Sequence, residues 1–178
     1  VPAAQAALVA DTLRLHGITF QTLTQADNRA VQSFRADTAT FAARSNEGHQ
    51  GLAVSGQWRA ETRAVPAGSL FVPITQPKAR LVMAILEPQA PDSLLQWGLF
   101  NLAFERKEYM EDYVAEDVAR EMLARDPALK AQFEQRLASD PAFAADPQAR
   151  LEFFYRLHPS WDERYRLYPV LRTDQSAF

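Results

Sequence analysis

Residues Ala79 to Tyr109 read ARLVMAILEPQAPDSLLQWGLFNLAFERKEY, the most apolar run in the chain. Within it, Leu81, Val82, Ile85 and Leu86 recur at helical spacing. Pro77 stands where a helix start tolerates a missing N–H, and Pro88 stops the helix. Leu86 to Pro91 forms a short rigid connection. Asp92 or Ser93 is then placed to cap a second helix carrying Leu94, Leu95, Trp97 and Gly98. Trp97 falls on the apolar pattern, which predicts a core position. The stretch divides the chain: the residues before it read as β-rich, and those after it as helical.

Upstream, residues 3–16 are rich in Ala, with Leu8, Val9, Thr12, Leu13 and Leu15 at helical spacing and Gly17 as a natural C-cap. Ile18–Leu23 alternates apolar and polar residues and reads as a short strand. Residues 29–42 are rich in β-branched and aromatic residues and predict one or two strands. Ser45-Asn46-Glu47-Gly48 is turn chemistry, and Leu52, Val54 and Trp58 begin a second β segment, which Glu61–Val65 continues. Gly56 inside it marks a bulge or a tight turn. Pro66-Ala67-Gly68 turns the chain into a strand over Ser69–Ile74, where Pro73 marks an edge or the end of pairing.

Downstream, Asp126-Pro127, Asp140-Pro141 and Asp146-Pro147 each combine an N-cap with a first-turn proline. Helices are predicted over about 113–125, 127–139 and 147–157, and Arg164–Arg172 reads as extended. The fold class is therefore α+β: an N-terminal helix and a small antiparallel sheet, followed by a helical C-terminal part. The division falls at residues 1–76 and 77–178, within one compact unit.

Bulk properties narrow the function classes. The chain has 178 residues, 47% of them hydrophobic and 23% charged, with net charge −3 and a pI near 5.6. That balance argues against a nucleic-acid or anionic-membrane surface, which needs a basic excess. Residues 1–90 carry 8 Lys/Arg against 6 Asp/Glu, and residues 91–178 carry 11 against 16, a pattern expected of solvated helix faces. There is no cysteine, so disulfides and thiolate ligands are excluded. No apolar run approaches the ~20 residues of a membrane span. A start at Val1-Pro2, with no initiator Met and no signal peptide, suggests a processed chain or part of a larger protein.

Catalytic patterns are sparse. His16, His49 and His158 have no carboxylate or second His at ligand spacing, and no nucleophile elbow, phosphate loop or dinucleotide fingerprint occurs. Glu105, Glu108, Glu111, Asp112, Glu116 and Asp117 form an acidic segment. Its pairs Glu105/Glu108 and Glu108/Asp112 would share a helix face. Acid/base chemistry there requires two carboxylates converging in a pocket, and a solvated face is the simpler expectation. Trp58 and Trp161 have polar neighbours and are the candidate ligand-contact aromatics of a glycan- or peptide-binding module.

Gln76-Pro77, Leu86-Glu87-Pro88, Asp92-Ser93, Trp97 and the later Tyr168-Pro169-Val170-Leu171-Arg172 together resemble the region after the catalytic domain in large secreted bacterial zinc carboxypeptidases of the carboxypeptidase A type. Leu13 to Gly17, leading into Ile18, resembles the helix and His-Gly-Ile entry to that region. The resemblance spans most of the chain. It implies an accessory, non-catalytic region, periplasmic or secreted, whose partner is its own catalytic domain and, through that domain, a peptide substrate. The zinc expected for such enzymes belongs to the catalytic domain, with its His-x-x-Glu pair, third His and general-base Glu. None of these maps onto this chain, so no catalytic residue, metal ligand or cofactor is expected within it.

Overall fold

Two left-handed residues in succession decide the central hairpin. Glu47 and Gly48 have φ of 50° and 80°, and Asn46 and His49 exchange both backbone hydrogen bonds around them. That tight turn matches the right-handed twist of the strands it joins. A computed structural model, which describes residues 1–105 and 110–176, places strand β2 (Asp27–Phe41) before this turn and strand β3 (Leu52–Val65) after it. The two pair antiparallel along their whole length, so residues 29–42 contribute one long strand rather than two.

The register slips once, between Ala36 and Thr38, leaving Asp37 as the extra residue opposite the Ser55-Gly56 step. The bulge therefore sits in β2, and Gly56 is its partner. A Cβ at Gly56 would lie 2.2 Å from the Arg35 carbonyl oxygen and 2.8 Å from Ala36 Cα. Only glycine lets the two backbones approach this closely.

The remaining parts of this unit obey short-range signals. Helix α1 (Ala3–Leu15) ends in a paired cap: Gly17 N–H donates to Arg14 O and Ile18 N–H to Leu13 O, with Gly17 at φ 61°. This is the six-to-one and five-to-two closure that a left-handed glycine permits. The strand expected over Ile18–Leu23 shrinks to β1 (Gln21–Thr22), paired with β4 (Leu70–Phe71). Beyond β1, a side chain substitutes for a strand: the Gln76 amide accepts from Thr19 N–H (3.0 Å) and donates to Thr19 O (3.1 Å).

Helix α2 (Ala79–Leu86) buries Val82, Ile85 and Leu86. The second helix expected after Asp92-Ser93 does not form. Residues 91–100 are consecutive turns, succeeded by a single 3₁₀ turn at Asn101–Ala103. Ser93 Oγ does accept from Gln96 N–H (3.3 Å), but Gly98 adopts φ 82° and ends any helical path. Successive turns instead insert Leu94, Leu95, Phe100 and Phe104 into a core shared with Val9, Leu13, Phe34, Leu52 and Tyr168.

The C-terminal segment joins this same unit, which comprises Val1–Glu105 and Arg164–Phe178. The segment is extended only in pieces. It bridges β2 at Leu167 and Arg172, after a turn that ends in Arg166 at φ 60°. Arg166 also grips the bulge: its carbonyl accepts from Ala36 N–H and its guanidinium donates to Asp37 O (2.9 Å).

Arg106–Glu163 forms the second unit. Helices α4 (Pro127–Ser139), α5 (Pro141–Ala145) and α6 (Pro147–Tyr155) each start with an Asp whose carboxylate accepts one or two first-turn N–H groups: Asp126, Asp140 and Asp146. Helix α3 (Asp112–Arg125) buries Ala115 and Ala119. Phe133, Phe143, Phe153 and Phe154 pack ring on ring at 4.7–6.0 Å, and Arg136 lies 4.2 Å over Phe143.

Gly56→Ala is expected to cost about 1–3 kcal/mol in urea unfolding, because the added methyl meets backbone rather than a movable side chain. Asp126→Ala removes the α4 cap and is expected to cost about 0.5–2 kcal/mol, read by far-UV circular dichroism. Full stability in either variant would contradict the geometry assigned to that position.

Candidate functional site

Several residues singled out by sequence, Leu86, Glu87, Trp58, Tyr168 and Arg172, meet at one place in the first unit. Leu86 closes α2 and Glu87 comes next, while Tyr168 and Arg172 arrive on the C-terminal segment beside β2. The Tyr168 ring is fully buried and packs edge-on to Phe100, with centroids 5.4 Å apart. Its hydroxyl donates to the Leu86 carbonyl at 2.8 Å across 82 residues of sequence. Four residues on, the Arg172 guanidinium engages both Glu87 carboxylate oxygens, with Nε to Oε1 at 2.9 Å. The same guanidinium lies 3.9 Å over the Trp58 ring. Trp58 in turn packs against buried Phe34, at 5.6 Å between centroids. Leu86-Glu87, Trp58 and Tyr168–Arg172 thus form one joint.

Chemically this joint is saturated. Glu87 is neutralised by Arg172, and Arg172 covers a face of Trp58 that a stacking ligand would need. Burial raises the Tyr168 phenol well above its ordinary value of 10.0, and the Glu87 charge raises it further. The phenol therefore stays protonated as a hydrogen-bond donor. Trp161, the other candidate aromatic, is half-buried in the second unit. It stands edge-on to Tyr155 at 5.1 Å with Arg156 5.4 Å from its ring. The structure places Trp58 and Trp161 in different units and each beneath an arginine.

Trp97 corrects the sequence reading in the other direction. It is 39% exposed rather than core. Its indole N–H donates to Asp92 Oδ1 (2.8 Å), and His49 meets it edge-on at 4.7 Å, with Nδ1–H donating to the Trp97 carbonyl (3.1 Å). Asp92, expected to cap a helix, serves an indole instead. The local signal was present: an indole N–H seeks an acceptor, and Asp92 stands five residues upstream.

The histidines stay apart: His16 caps α1, His49 lies in the hairpin turn, and His158 lies just beyond α6 with its Nδ1 near Ser160 Oγ (2.7 Å). Among the described residues no group of three or more His, Cys, Asp or Glu side chains could hold a metal ion. In the acidic segment, Glu108 lies outside the described residues. Glu105, Glu111, Asp112, Glu116 and Asp117 are exposed, with Asp112 accepting from Gln148 Nε2 (2.6 Å) and Glu116 paired with Arg120. No described helix is long and apolar enough to cross a membrane. No family model, curated protein or solved structure matches this chain.

The joint makes a checkable prediction about alkaline pH. A phenol whose folded pKa is raised favours folding below its unfolded value near 10, and that stability is lost as pH rises above it. Stability is expected to fall above about pH 10, and Tyr168→Phe is expected to flatten that fall while costing about 1–3 kcal/mol at neutral pH by orphaning the Leu86 carbonyl. A spectrophotometric titration in which all 5 tyrosines ionise together near pH 10 in the folded chain would contradict the buried bond.

Proposed function

We propose that this chain is the non-catalytic accessory region of a zinc carboxypeptidase-type protein of the carboxypeptidase A class. In this reading it stabilises or positions a catalytic domain that carries the zinc and acts on peptide C termini in the periplasm or outside the cell. The observation that carries the reading is the convergence of its two most diagnostic segments. Leu86-Glu87-Pro88 and Tyr168–Arg172 are bound to each other by a buried hydroxyl and a two-pronged ion pair. Residues engaged in this way serve architecture, which is the role an accessory region requires of them. The described carboxylates of the acidic segment fit the same role, since all are exposed, with Asp112 bonded to Gln148 and Glu116 paired with Arg120.

The test is direct. The chain, incubated with zinc and dialysed, is expected to retain no stoichiometric metal by elemental analysis. It is expected to release no C-terminal residue from a model peptide. The encoding gene, read upstream of Val1, is expected to specify a domain with a His-x-x-Glu pair, a distant third His and a general-base Glu. One tightly held zinc per chain, or peptidase activity of this chain alone, would sink the reading.

A further inference from the structure

The outer edge of β3 has its carbonyls held along its first part and is open along its second. Gln32 and Ala36 direct their N–H groups, and Phe34 its carbonyl, away from β3 and onto the C-terminal segment. These residues oppose Ala60, Gly56 and Trp58, so the latter also point their backbone groups outward, away from β2. By the same alternation Thr62, Ala64, Val54 and Leu52 point outward. The Leu52 carbonyl accepts from Gln96 Nε2 (2.5 Å) and the Val54 carbonyl from Gln89 Nε2 (3.4 Å). From Gly56 to Ala64 no outward backbone group has a partner among the described residues, and Arg59–Thr62 are exposed on both faces of the strand. Open edges of this length are templates for another strand.

We propose that this edge pairs with the β3 edge of a second copy, antiparallel and centred on Ala60. The choice of occupant rests on charge and on register. About an axis at Ala60, Arg59 of each copy faces Glu61 of the other, Gln57 faces Arg63, and Trp58 faces Thr62. Opposite charges directly across a ladder stabilise it by roughly 0.2–1 kcal/mol per pair. Glu61, already paired with its own Arg63 at 2.7 Å, gains a second cation. Moving the axis to Thr62 places Pro66, which has no N–H, opposite Trp58. Moving it to Trp58 brings in the Val54 carbonyl, which Gln89 already occupies, and sets Arg59 against Gln57 with no charge match. Only the Ala60 register both matches charge and uses every open donor and acceptor from Gly56 to Ala64. The contact is a strip of backbone with little apolar area, so the pair is weak and concentration-dependent.

The proposal stands independently of the accessory-region reading. Sedimentation equilibrium of the full chain across about 10–500 μM, a range that brackets weak association, is expected to show a monomer–dimer equilibrium that weakens with added salt. Glu61→Arg, which sets Arg59 and the new cation face to face, is expected to raise the dissociation constant at least tenfold. Ala60→Pro, which deletes an outward N–H without touching the hairpin's internal bonds, is expected to do the same. The double exchange Arg59→Glu/Glu61→Arg is expected to restore dimerisation, because the swapped pairs are again complementary. Circular dichroism on each variant separates lost pairing from lost folding, and the charge exchange keeps the test valid if Ala60→Pro unfolds. A chain that stays monomeric throughout would overturn the proposal, as would a dimer indifferent to these substitutions or an edge that takes only a foreign extended peptide.

Discussion

The buried hydrogen bond between the Tyr168 hydroxyl and the Leu86 carbonyl holds the first unit closed. Leu86 is the last residue of α2, where a carbonyl has no partner within its own helix. Left unpaired in the core, that carbonyl would cost more than an ordinary hydrogen bond returns. Tyr168 supplies the donor, and its ring fills the space beside Phe100 at the same time. Its N–H, bonded to Phe34 O, fixes the segment against β2. One residue thus links the C-terminal segment, the central helix and the long hairpin.

The same segment stabilises the irregular point of the sheet. Asp37 bulges out of β2, Gly56 admits the resulting close approach, and Arg166 binds the Ala36 N–H and the carbonyl of the extra residue itself. The C-terminal segment lies along one edge of the hairpin and Gln96 and Gln89 hold the first carbonyls of the other, while the outward backbone groups from Gly56 to Ala64 have no partner among the described residues. Its alternating Arg59, Glu61 and Arg63 discourage pairing with apolar strands while permitting a charge-matched one.

The joint at Trp58 shows how a feature can look functional in sequence and be structural in place. Trp58 stands among polar residues because it lies on a strand whose opposite face is wet, which is also how an aromatic binding platform would read. Its ring is covered by Arg172, more than a hundred positions away, and no local pattern announces that contact. Trp97 misleads in the opposite sense. Its apolar neighbours enter the core through turns, and the indole remains at the surface, held by Asp92 and His49.

Several features were legible from adjacent residues alone: the α+β class, the closure of α1 at Gly17, the three Asp-Pro helix starts, the hairpin turn and a break in regularity at Gly56. Each is decided by the conformational limits of a few neighbouring positions. Long-range packing was needed to settle that residues 91–100 run as turns, that the C-terminal segment returns to the β-rich unit, that Gln76 substitutes for a strand at Thr19, and which tryptophan meets solvent. Those outcomes depend on which distant group satisfies a buried carbonyl or covers an aromatic face. Apolar spacing along the chain encodes that a residue prefers burial, and leaves open against what.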